Sequence, residues 1–137
     1  MALYFYLKKK KFAKIKKFDE DFFFYWEDID LSRRIKMSNF SIYLNFKSKA
    51  THIGGNSTTQ TLKNLFIKDV NFKFGEYLFK YKFNELRLIQ ILREIFKYPV
   101  LTIFYLITIQ FSKFLKSLFY LIGIIKFFGF LLIKNIN

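Results

Sequence analysis

A chain of 137 residues has room for one domain with a modest core. The absence of Cys excludes a disulfide framework and thiolate chemistry. A formal net charge of +14 suits an anionic partner such as a lipid surface, a nucleic acid or a nucleotide-sugar. Lys, Ile, Phe, Asn and Tyr are also what an AT-rich gene encodes, so the charge alone does not name the partner.

Residues 1–7 do not read as a signal peptide, because the apolar run is short and the basic cluster follows it. Residues 2–7 read as a short buried strand. Seven Lys follow within residues 8–17, with Phe12 and Ile15 spaced for one face of a short helix. A solvated helix face is favoured there over a nucleic-acid arm.

Residues 18–34 form the densest chemistry in the chain. Six of its ten acidic residues lie between Asp19 and Asp30, with no Lys or Arg among them. Crowded carboxylates repel, so such a cluster fits a cation, a proton to be removed, or a helix N-terminus. A helix is expected over residues 28–37, acidic at its start and basic at its end, closed by Ser38 and Asn39. Residues 42–46 and 50–53 read as strands, and residues 54–59 as a Gly-containing loop.

From Thr61 apolar residues recur at helical spacing, through Leu62, Leu65, Phe66, Phe79, Phe83, Leu86, Ile89, Leu92, Ile95 and Phe96. Pro99 is expected to open a new segment. Residues 100–111 are apolar but too short to cross a bilayer, residues 112–116 interrupt the run, and residues 117–133 are apolar apart from Lys126. Lys113, Lys116, Lys126 and Lys134 fall on one broad polar side with Gln110 and Ser112. A basic amphipathic helix lying in a membrane interface fits best. A kinked or paired insertion ranks second, because Lys in hydrocarbon is costly. A tail buried in a soluble partner is the bland alternative.

Two separated stretches resemble a known family. Phe18-Asp19-Glu20, then Phe22-Phe23-Phe24-Tyr25-Trp26-Glu27-Asp28-Ile29-Asp30-Leu31 with Arg34, is similar to the acceptor-side motif of family 2 glycosyltransferases, in the rhamnosyltransferase-like branch. Asn39 to Tyr43 resembles the turn and strand that follow, and His52-Ile53-Gly54-Gly55-Asn56-Ser57 resembles a later His-x-Gly-Gly-x-Ser segment. The resemblance implies an α/β fold: the C-terminal half of a GT-A-type domain, followed by an amphipathic, hydrophobic helical tail. Residues 1–60 would be the partial catalytic domain, 61–98 a helical extension, and 99–137 a basic membrane-associated tail.

By the same resemblance Asp28 would be the general base of an inverting sugar transfer, with Glu27 and Asp30 orienting it or the acceptor. Tyr25 and Trp26 would offer a flat surface to the acceptor sugar. His52 would contact a divalent metal, Mg or Mn, or the diphosphate. The partners implied are a nucleotide-sugar donor and a cell-surface or lipid-linked glycan acceptor, at the cytoplasmic face of the inner or plasma membrane. Two departures stand against this. Lys16-Lys17 replaces a customary Gly pair, and the nucleotide-binding half with its Asp-x-Asp motif should lie ahead of Met1. The chain is therefore expected to be inactive alone, as a fragment or as one part of a split enzyme.

A second reading is a small basic membrane-surface protein without catalysis. Nucleic-acid binding is weakest, because the aromatics are mostly Phe in apolar runs, and no nucleic-acid partner is expected.

Overall fold

The computed structural model describes residues 9–40 and 61–136. These form five helices: α1 (Lys9–Lys14), α2 (Glu27–Met37), α3 (Leu62–Lys82), α4 (Leu88–Ile107) and α5 (Phe111–Ile136). Among the described residues there is no strand. The protein is helical, and the expected α/β fold with its GT-A half is overturned. The strands expected at 2–7, 42–46 and 50–53, the loop at 54–59 and His52 all lie outside the described residues.

The α1–α2 unit closes over a small cluster. Ile15, Leu31 and Ile35 are buried, with Phe12 and Phe40 packed against them. Here the sequence reading holds: Phe12 and Ile15 do share a buried face, and α2 covers the expected residues.

Helices α3, α4 and α5 form the larger bundle, with α5 packed against both of the others. Its core is aromatic. Tyr77, Leu78, Ile124 and Phe127 are all but sealed from solvent, and Phe22, Phe74, Phe79 and Tyr98 complete the cluster. Each such side chain contributes about 1.5–3 kcal/mol on burial. α3 and α5 meet closely because Gly123 has no side chain. A Cβ there would lie 2.6 Å from the Val70 carbonyl oxygen and 2.8 Å from Lys73 Cβ.

Helix ends follow one pattern. After α2, Asn39 is left-handed (φ 55°), Phe40 N–H donates to the Ile35 carbonyl and Asn39 N–H to that of Lys36. After α3, Asn84 (φ 55°) takes the same role, with Glu85 N–H donating to Lys80. This satisfies carbonyls the helix leaves unpaired. α1 and α4 end likewise, but with Lys16 (φ 61°) and Ile109 (φ 56°) at the left-handed position. Lys16 and Lys17 (φ 54°) thus adopt the backbone a Gly pair would take without strain.

Two expectations about the C-terminal third change. Pro99 lies inside α4 rather than opening a new segment, so the expected boundary at residue 99 falls in mid-helix. The interruption comes at residues 108–110, and α5 runs on through Ser112, Lys113 and Lys116.

Candidate functional site

A tight turn divides the acid-rich stretch, between Asp21 and Glu27. Phe24, Tyr25 and Trp26 are all left-handed, at φ 67°, 69° and 73°. Side chains in that conformation cost roughly 1–2 kcal/mol each, so something must hold them. Trp26 does so: its Nε1–H donates to the Phe72 carbonyl at 3.1 Å, and its ring lies 5.3 Å from that of Phe79. Gly75 makes room for it, since a Cβ there would sit 2.9 Å from Trp26 Cδ1. The ring of Tyr25 meets that of Phe72 edge-on. Trp26 and Tyr25, expected to offer a sugar platform, are therefore joined to α3.

The carboxylates separate into different roles. Asp30 is fully buried, and accepts from Arg34 Nε and Lys82 Nζ, each at 2.7 Å. Lys82 also pairs with Asp19. Burial alone would raise the Asp19 carboxyl, but the Lys82 hydrogen bond, the Asp21 N–H and the Arg34 charge hold it below the ordinary value. Arg34 donates further to the Ile15 and Lys17 carbonyls, which fastens the α1 turn. Asp21 pairs with Lys134 at 2.7 Å. These contacts form a clasp between residues 15–34, the end of α3 and the end of α5.

Asp28 stands apart. It is exposed, and its Oδ1 accepts from the Ile29 N–H at 2.8 Å in the first turn of α2. Glu27 is half-buried, with Oε2 sealed and without a hydrogen-bond partner. Asp28 lines neither of two open surface grooves, one of about 570 Å³ beside Arg33 and Phe79 and one of about 490 Å³ beside Lys17 and Lys82. Among the described residues no group of three or more acids or histidines converges to hold a metal. The expected base and its orienting acids are thus near in sequence but differently placed: Asp30 inward on two cations, Asp28 outward.

A second polar centre lies between the bundle helices, and the sequence reading missed it. Lys73 is 3% exposed, pairs with Glu76 at 2.8 Å and Glu94 at 2.6 Å, and faces the rings of Tyr77, Tyr98 and Tyr120. Tyr77 Oη–H donates to Glu94 at 3.0 Å. Burial alone would lower the Lys73 ammonium, but the two glutamates raise it above the ordinary 10.5. Burial likewise works to raise Glu76, and Lys73 and Lys80 hold it below 4.5. The Glu76–Lys80 spacing was a readable sign of one such pair. The partner on α4 was not readable.

The remaining surface feature is apolar. On α4, Leu88, Ile89, Phe96, Val100, Ile103, Leu106 and Ile107 are each at least 60% exposed. Ile109 in the α4–α5 turn is 88% exposed, and Phe111 beside it 66%. α5 itself, from Phe111 to Lys134, is long and apolar enough to cross a membrane.

No family model, no curated protein and no solved structure matches this chain. With the described residues all outside β-structure, the glycosyltransferase resemblance is overturned, and with it the basis on which Asp28, Glu27, Asp30, Trp26, Tyr25 and His52 received catalytic, acceptor or metal roles.

Proposed function

We propose that the protein is a small basic membrane-associated protein, a helical body attached to lipid by its C-terminal hairpin of α4 and α5. The observation that carries this reading is the pairing of exposed apolar surface with one-sided charge. No acid follows Glu94, while Lys97, Lys113, Lys116 and Lys126 do, in addition to Lys134, whose charge Asp21 meets. Large exposed apolar patches on soluble chains mark interaction sites, and a surface that is both apolar and purely cationic suits anionic lipid.

Magnitudes rank the two contributions. Burying one exposed Ile, Leu or Phe contributes about 1.5–3 kcal/mol, and a Lys near an anionic leaflet about 1 kcal/mol. Apolar burial therefore supplies most of the attachment. In this reading the acid-rich clasp is structural: it neutralises Lys82, Arg34 and Lys134 and ties the N-terminal helices to the bundle.

Flotation of the full chain with lipid vesicles tests the proposal. The chain should rise with phosphatidylcholine vesicles, more completely when phosphatidylserine is added, and high salt should release only part of it. A chain that stays at the bottom of the gradient with both vesicle types would refute membrane association.

A further inference from the structure

We infer that the outer face of α4 is the surface that meets the bilayer, and that the protein lies on one leaflet of an anionic membrane with α5 not crossing it. This rests on the membrane reading above and assigns the face, the depth and the lipid charge.

The face is set by rotation. At 100° per residue, Leu88, Ile89, Leu92, Ile95, Phe96, Val100, Ile103, Phe104, Leu106 and Ile107 fall within about half of the circumference of α4. All ten are exposed. Arg93 and Lys97 fall along one border of that arc, and both are exposed. The opposite side carries Ile91, Glu94, Tyr98 and Tyr105, which are buried or half-buried. Glu94 is the one acid on α4, and it is turned inward onto Lys73. Viewed from outside, α4 therefore presents apolar side chains edged by cations, with no carboxylate.

That pattern selects the occupant. A second copy docked through this face would set Arg93 and Lys97 near a surface that also lacks acids. An anionic leaflet offers hydrocarbon for the arc and phosphate or carboxylate for its border. At 1.5 Å per residue α4 would lie along about 30 Å of membrane surface.

Depth follows from what α5 touches. α3 packs along α5, with Gly123 against Val70 and Lys73. Lys126 Nζ donates to Asn71 Oδ1 at 2.6 Å, from the middle of α5 to α3. If α5 crossed the bilayer in this fold, α3 would enter hydrocarbon carrying Lys68, Asp69, Lys73, Glu76 and Lys80, which is costly. Lying on the leaflet keeps α3 in water.

The natural absence of Cys allows single thiols to be placed cleanly in the full chain. A polarity-sensitive dye on Phe96→Cys, Ile103→Cys or Ile107→Cys should shift to an apolar signal with phosphatidylserine-containing vesicles, and less with phosphatidylcholine alone. The same dye on Lys36→Cys should not respond. Ser112→Cys and Ile133→Cys, near the two ends of α5, should both react with a membrane-impermeant maleimide added outside the vesicles. Protection of either end would overturn the inference in favour of a crossing or inserted hairpin. A dye shift that follows protein concentration without lipid would overturn it in favour of a second copy. Vesicle binding with a silent α4 dye would sink this inference while leaving membrane association standing. No vesicle binding by the unmodified chain would sink that earlier reading itself.

Discussion

Asp30 and Asp28 are two residues apart and do opposite things. Asp30 is buried against Lys82 and Arg34, whereas Asp28 is exposed at the start of α2. Removing one member of a buried pair leaves the others uncompensated. Asp30→Asn is therefore expected to cost about 2–4 kcal/mol in chemical denaturation. Asp28→Asn should stay within about 0.5 kcal/mol of the parent, since Asp28 is exposed and the Asn amide oxygen can still accept from the Ile29 N–H. Equal losses would show that the clasp is misassigned. The sequence made the crowded acids visible, and their proximity to a helix start was readable too. Their neutralisation was not, because Lys82 lies beyond a long intervening segment and nothing local points to it. The aromatic run was readable as unusual, but its left-handed backbone was not, since Phe, Tyr and Trp have no local preference for it.

At the scale of helices, ends were more legible than faces. Asn39 signalled the close of α2 because Asn tolerates the left-handed position. Ile109 gave no such signal, being β-branched, and it holds φ 56° with its side chain in solvent. Ile109→Gly should raise stability by about 1 kcal/mol in a denaturant melt by relieving that conformation. It should also weaken vesicle binding, so stability and attachment move in opposite directions. Glycines give a second contrast. Gly123→Ala is expected to destabilise by about 1–3 kcal/mol, because the contact is with backbone across α3 and α5. Gly129→Ala meets nothing within 4 Å and should stabilise by about 0.5–1 kcal/mol. Thermal melts of the two variants check the sign. The apolar spacing on α4 was fully readable as a helix, yet period alone does not say whether a stripe faces a core or the outside. Pro99 misled for a related reason: it lacks the N–H that would meet the Ile95 carbonyl, and the helix runs through it.

For the whole molecule, the Lys73 centre joins the helices and sets a pH range. Glu76 is held below 4.5, so its contribution is present above that value and is lost as pH falls through the lower folded pKa. Lys73 is held above 10.5, so its contribution is present below that value and is lost as pH rises through the higher folded pKa. Thermal stability should thus be level with respect to this pair between 4.5 and 10.5, falling outside it, and Lys73→Met should remove the alkaline edge and only weaken the acid one, where Lys80 still pairs with Glu76. A melt that declines across neutral pH in the parent and not in the variant would contradict this. The fold class was hidden because short β-favouring runs and a motif-like spelling do not fix a sheet by themselves, and the acid-rich stretch that carried the resemblance is a turn and a helix. The basic, apolar character of the C-terminal third was legible throughout. The most direct measurement is flotation of the full chain beside an Ile103→Glu/Ile107→Glu variant, on phosphatidylserine-containing vesicles. Both substitutions lie on the exposed arc of α4, so the helical signal and melting temperature should be unchanged. The variant should bind at least tenfold more weakly, since each loses about 1.5–3 kcal/mol of burial. A folded variant that floats as well as the parent would contradict the account.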